Sequence, residues 1–339
     1  MKLVKTQDAL GHILCHDMTQ IIPGQKKESV FRKGHIVTEA DIPILLSMGK
    51  DNLYIWEKKE GILHENEAAE ILYEICKNDY MKGSEIKEGK IELSATVDGL
   101  FKVDTKRLNQ INSLGEMMIA TRHGNFSVKK GDKLAGTRII PLVIEEEKMN
   151  EAKRIAGENP LLTILPFKKK KAVIVTTGNE VFYGRIKDAF GPVIREKLAE
   201  YNVEVLYQKI INDDAEKITA IIQEAIASGA DMIICTGGMS VDPDDTTPTA
   251  IKNTGARLIS YGAPVLPGAM FLMAYAAGDI PIMGLPGCVM YNKRTIFDLI
   301  LPRVIANDKV TEKDLVSLGE GGLCLECSQC TFPNCGFGK

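Results

Sequence analysis

Residues 172–178, AVIVTTG, are apolar without interruption until the run ends in threonines and a glycine. A strand with no polar alternation is buried on both faces, which is the condition of a parallel sheet covered by helices on each side. The theme repeats in DMIICTGG (231–238) and IPIMGLPG (280–287), with VEVLYQKII (203–211) and ARLIS (256–260) as further strands. GPVIREKLAEY (191–201) and DAEKITAIIQEAIASG (214–229) read as helices. In the second, Ile218, Ile221, Ile222, Ala225 and Ile226 share one face and Gly229 supplies the stop. Strands alternating with helices predict an α/β domain with a largely parallel sheet.

In open α/β sheets ligands bind beyond the carboxyl ends of the strands. Three glycine loops fall there: TTGNE, CTGGMSVDPDD and GLPG. Gly237 and Gly238 let the backbone approach a ligand, and free N–H groups there suit phosphate oxygens. Ser240 adds a hydroxyl, and Asp242, Asp244 and Asp245 crowd the exit of the loop. Carboxylates beside a phosphate site repel it unless a cation lies between them, and hard cations take oxygen ligands. The loop chemistry therefore points to an anionic, phosphorylated ligand with a divalent metal or an oxo-metal species. A tight turn with an acidic, solvated exit is the simpler alternative for the middle loop taken alone.

The FKKKK run at 167–171, preceded by Pro166, is the clearest boundary along the chain. Before it, DIPILLSMG reads as a short helix and EAAEILYEICKNDYMKG as a longer one. DNLYIWE reads as a strand, SATVDGLFKVD as strand, turn, strand, and FSVKKGDKLAGTRIIPLVI likewise. The expected organisation is an α+β, β-rich accessory region over 1–166, an α/β domain over 170–308 and a tail over 309–339.

At a net charge of −3 the chain carries no electrostatic footprint for nucleic acid. No apolar run approaches the length of a membrane span, and the charged start lacks the features of a signal peptide, so a cytoplasmic protein is expected. Of eight cysteines, Cys15, Cys76, Cys235 and Cys288 are scattered beside apolar residues and read as core filler. Cys324, Cys327, Cys330 and Cys335 instead follow a C-x2-C-x2-C-x4-C spacing. Four thiolates this close suit an iron–sulfur cluster or tetrahedral zinc, with a tail of reactive thiols as the alternative. His12, Cys15 and His16 in HILCH read as ordinary surface residues before they read as a metal patch.

The motifs TTGNEV, NDDAEKI, TGGMSVDPDD, PVLPGAMF and GLPGCVMYNKRTIFDLILPRV fall in an order that resembles the molybdopterin-binding domain of molybdenum-cofactor biosynthesis proteins of the MoeA (gephyrin E-domain) type. Over about 170–306 the resemblance implies a three-layer α/β/α domain that binds molybdopterin or its nucleotide form. It implies a pterin site at Thr177, Gly178, Thr236, Gly237, Gly238, Ser240, Pro267, Gly268, Pro286, Gly287 and Cys288. It also implies catalytic or metal-holding carboxylates at Glu180, Asp213 and Asp245, with Mg2+ and molybdate as the ions concerned. A weaker likeness extends to TQDALGHIL, matched to the family's opening helix, and to RKGHIVTEADIPILLSMG.

The departures from the family pattern are specific. Asn179 stands where the family has aspartate, and Phe190 where it has asparagine. Ala269 replaces the lysine of PGKP, Leu266 a basic position before it, and Cys288 the asparagine of GLPGNP. Losing lysines removes phosphate contacts. The resemblance thus implies pterin binding and leaves three readings open: a molybdopterin molybdenumtransferase-like enzyme, a non-catalytic carrier or scaffold serving a molybdoenzyme, and a CinA-like nicotinamide-nucleotide enzyme. A homodimer is also implied.

Overall fold

The computed structural model describes residues 2–22, 26–55, 60–240, 242 and 245–339. Trp56 and Glu57, at the end of the DNLYIWE strand, and Asp244 lie outside the described residues. The chain forms two compact units. The first comprises 1–96, 103–122 and 131–163, and the second 97–102, 123–130 and 164–339.

In the first unit a helix over Glu65–Cys76 buries Ala68, Ala69, Leu72 and Cys76, the positions one to two turns apart that face a core. It ends at Cys76, and Met81–Gly83 is a strand, so the helix is shorter than the sequence pattern predicts. Met81–Gly83, Lys90–Ala95, Lys133–Ile139 and Met117–Thr121 pair in that order as an antiparallel sheet. The strands predicted in SATVDGLFKVD both form, Lys90–Ala95 and Gly99–Val103, but they join different sheets and make no hairpin. The expected opening helix in TQDALGHIL is a single 3-10 turn over Thr6–Asp8.

The second unit holds the α/β sheet. Its strands are β1 (Lys171–Thr177), β2 (Glu204–Ile211), β3 (Met232–Thr236), β4 (Arg257–Tyr261), β5 (Leu272–Ala276) and β6 (Ile280–Leu285). Its principal helices are α1 (Phe190–Ala199), α2 (Ala215–Ala227), α3 (Thr247–Asn253) and α4 (Ile296–Ile305). The strand order is β2-β1-β3-β6-β5-β4. The first four strands are mutually parallel, and β5 pairs antiparallel with both β6 and β4. The antiparallel edge departs from the sequence reading, which contains no strand at β5.

Alternate residues of β1 serve opposite cores. Ala172 and Ile174 pack with Ile194 and Leu198 of α1 and with α4, whereas Val173 and Val175 pack with Ile218 and Ile222 of α2 and Ile251 of α3. That period-two division over one strand is what makes three layers. Helix α2 begins where the Asp214 side chain accepts from the Glu216 and Lys217 amides. Helix α4 begins with a reciprocal cap between Thr295 and Asp298 and is buried over its whole length.

The tail is folded onto this unit. Phe337 is 4% exposed and belongs to the α1–α4 core, with Cys324, Phe332 and Cys335 packed against it. Leu266 donates its amide to Gly322 and accepts from the Cys324 amide, each at 2.8 Å, so the tail pairs with the loop before Pro267.

Candidate functional site

The sheet reverses its order of growth between β1 and β3: β2 lies to one side of β1, and β3 and β6 to the other. Ligand crevices of doubly wound sheets open at the carboxyl ends of the strands at this switch point. Register fixes what meets there. Thr176 is opposite Thr236, and Thr236 is opposite Leu285, so the loops leaving β1, β3 and β6 emerge side by side.

The strands run one or two residues beyond the ends expected from sequence, which changes the role of two predicted ligand residues. Thr236 is fully buried and donates to Thr176 Oγ1 at 3.2 Å. Thr177 is 3% exposed and its hydroxyl lies 3.0 Å from that of Thr247. The first contact ties two strand ends together and the second ties a strand end to the start of α3, so both hydroxyls are turned inward. Gln208 joins the same polar lattice, donating to Thr176 Oγ1 at 2.9 Å and to Asp188 Oδ2 at 2.7 Å. Thr247, Gln208 and Asp188 went unread because only parallel register brings them together; no spacing signals it.

Gly237 and Gly238 adopt φ of +83° and +55°. A Cβ on Gly237 would stand 2.1 Å from the Thr177 carbonyl oxygen. Tyr261 was also missed by sequence: its hydroxyl donates to the carbonyls of Met239 (2.8 Å) and Ser240 (3.2 Å), steadying the turn from β4. Ser240 and Gly287 are exposed, Pro286 is buried, and Cys288 is half-buried. Burial pushes the Cys288 thiol up, which favours the protonated form over the thiolate a metal needs. Pro267 and Gly268 make their contacts with Ile296 at the start of α4.

Asp213 lies within the electrostatic reach of Glu180 and Asp245. Its Oδ2 accepts the Asn179 amide at 2.8 Å, while its Oδ1 is buried and makes no hydrogen bond. Burial pushes the Asp213 carboxyl up, and Glu180 and Asp245 raise it further; the Asn179 amide and the Thr177 hydroxyl oppose them. Asp245 folds onto its own loop, accepting the Asp242 amide at 3.3 Å and donating its amide to the Asp242 carbonyl at 2.9 Å. A buried, unpaired carboxylate oxygen with two more acids beside it is costly without a cation. The donors are all oxygen, the ligand type Mg2+ takes, but the three carboxylates are not gathered about one point.

Among the described residues no three His, Cys, Asp or Glu side chains are gathered to hold one ion. Cys15 is buried and donates to the Tyr54 carbonyl at 2.8 Å. Cys76 and Cys235 are buried, with their thiols pushed up to about 12. No helix among the described residues is long and apolar enough to cross a membrane.

Glycine loops and carboxylates at the switch point of a three-layer α/β/α sheet define a ligand-binding doubly wound domain. Residues 173–306 match the family model described as "Probable molybdopterin binding domain". Residues 3–57 match a domain of unknown function, DUF8806. A molybdopterin molybdenumtransferase of Staphylococcus epidermidis is 28% identical over 127 residues, which is 35% of this chain and 30% of that protein. A CinA-like protein of a Mycobacterium species is 38% identical over 90 residues, 26% of this chain and 21% of that one. The chain thus spans less than a third of the length of either relative. Among solved structures, the molybdopterin biosynthesis enzyme MoaB of Thermus thermophilus is 23% identical, covering 40% of this chain and 91% of that one with a TM-score of 0.33.

Proposed function

We propose that the second unit binds the phosphorylated pterin of molybdopterin, or its nucleotide form, at the loops leaving β1, β3 and β6, and that the chain takes part in molybdenum-cofactor biosynthesis. The observation that carries this reading is the unsatisfied Asp213 Oδ1 at the switch point, flanked by Glu180 and Asp245. In this reading Asp213, Glu180 and Asp245 would have to draw together to hold Mg2+, which would then offset charge at the ligand's phosphate oxygens. The Gly237–Gly238 backbone and the Ser240 hydroxyl approach the ligand, and Gly287 leaves room beside it. Molybdate is the substrate of an insertion reaction. A homodimer and a receiving molybdoenzyme belong to the same proposal.

Two observations favour variants of it. Leu266 and Ala269 stand where the family's motif places basic residues, and Leu266 is engaged by the tail; this suits a carrier better than a transferase. The identity to a CinA-like protein keeps the CinA-like reading, with a nicotinamide nucleotide as the ligand to test.

The deciding experiment is an anaerobic binding titration with molybdopterin, adenylylated molybdopterin and nicotinamide mononucleotide. The expected result is tight pterin binding that weakens at least about tenfold, roughly 1.4 kcal/mol, in Asp245→Asn. Binding only of the nicotinamide nucleotide would transfer the chain to the CinA-like reading. Binding of none of the three would defeat both.

Asp213 yields a second expected result, with stability as its readout. Its folded-state carboxyl lies above its unfolded value. The associated stability is therefore complete below the unfolded value and is lost as pH rises through the folded one. Asp213→Asn keeps an acceptor for the Asn179 amide and removes the buried charge. It is expected to raise the denaturation midpoint at neutral pH while weakening Mg2+-dependent ligand binding. A lowered midpoint would mean that the carboxylate is a structural anchor.

A further inference from the structure

The four tail cysteines border one cavity of about 460 Å3, with Lys293 and Arg294 on its wall. The tail is held around this cavity by aromatic packing. Phe332 stacks between Phe126 and Phe337, with ring centroids 6.0 and 6.2 Å away, and the Arg294 guanidinium lies 5.3 Å from its ring centroid. On the other side, the backbone pairing of Leu266 with Gly322 and Cys324 fixes where the first cysteine begins. The four cysteines differ in exposure: Cys324 and Cys335 are half-buried against the core, whereas Cys327 and Cys330 are exposed.

This arrangement distinguishes between the two kinds of centre that four thiolates suit. Tetrahedral zinc with Zn–S bonds of about 2.3 Å draws its four sulfurs to roughly 3.8 Å from one another and leaves no space between them. Here the four residues surround a cavity, and no three of them are gathered about a point. A cage of iron and sulfide is larger than one ion and is gripped at its corners. Three cysteines at C-x2-C-x2-C spacing followed by a more distant fourth supply such corners. A cluster bound by four thiolates carries net negative charge, which the Lys293 and Arg294 side chains offset. Arg294 is already oriented by Glu200 at 3.0 Å and Asp298 at 2.8 Å.

We propose that Cys324, Cys327, Cys330 and Cys335 hold a [4Fe–4S] cluster in the cavity between the tail and residues 291–294. This site is separate from the pterin loops and stands whether or not the chain binds pterin.

The test uses the full chain, purified anaerobically and reconstituted with ferrous iron and sulfide. The expected result is about four iron and four acid-labile sulfide per chain, with Mössbauer and reduced-state electron paramagnetic resonance spectra of a four-iron cluster. Cys327→Ser/Cys330→Ser changes only exposed side chains, so it should lose the cluster and retain the wild-type circular dichroism. One zinc per chain, no bound metal, a different iron stoichiometry, or a cluster retained by the double variant would each overturn the assignment.

Discussion

Gly237→Ala unfolds at a clearly lower denaturant concentration than the wild type, with an expected loss of about 2–5 kcal/mol. Two causes add. The residue sits at φ +83°, where an L side chain costs about 1–2 kcal/mol. Its new Cβ would also meet the Thr177 carbonyl oxygen at 2.1 Å, and that carbonyl belongs to β1, a strand buried on both faces, so it has nowhere to move. Overpacking of this kind adds about 1–3 kcal/mol. Gly238→Ala is the informative comparison. Its Cβ would meet the Thr247 and Thr177 hydroxyls at 2.8 and 3.1 Å, and side-chain oxygens can turn aside. It should cost less stability than Gly237→Ala and still impair ligand binding. Equal midpoints for Gly237→Ala and wild type, in urea titrations followed by far-ultraviolet circular dichroism, would contradict this account of the loop.

Lys197→Met is the other large effect, at about 3 kcal/mol or more. The Lys197 ammonium donates to both Asp298 oxygens, at 2.8 and 2.9 Å, and to the Lys293 carbonyl at 2.9 Å. The two side chains are 8% and 3% exposed. Removing one partner of a buried pair leaves the other charge without compensation. Arg294, 2.8 Å from the same carboxylate, holds the loss to the lower part of the range for such pairs. Lys197→Met/Asp298→Leu removes both charges and should recover part of the stability. It will not recover all of it, because Asp298 also caps α4 through the Thr295 amide. Salt should move the wild-type midpoint little, since the pair is shielded from solvent. A single variant as stable as wild type would show that the pair contributes nothing net.

Three of the four parallel strands, β1, β3 and β6, were legible because burial on both faces leaves an apolar string, and each string ended near glycines that marked its carboxyl end. β5 was not legible: FLMAYAA sits directly behind the PVLPGAMF motif, and a short apolar run carries no period that separates strand from buried helix. Gly237 and Gly238 were read from residue type and position, and Asp213 was implied by the resemblance. Thr177 and Thr236 were identified as site residues but not as buried ones, because the strands continue past the last aliphatic residue and turn their hydroxyls inward. Tyr261 and Gln208 reach the site from other strands, and only register places them there. In the tail the cysteine spacing was plain, whereas the packing of Phe332 and Phe337 was not, since two aromatics among polar residues form no pattern.

The burial of β1 and β3 on both faces has a consequence for how the molecule opens. Their amides lie in the middle of the sheet, paired on each edge, and should exchange with solvent deuterium only through global unfolding. The glycine turns that leave them are bonded chiefly through side chains and single amides, so they should exchange by small local excursions. The glycine loops are thus expected to sit as short, fast-opening segments on the slowest-opening part of the chain, able to adjust while their anchor points stay fixed.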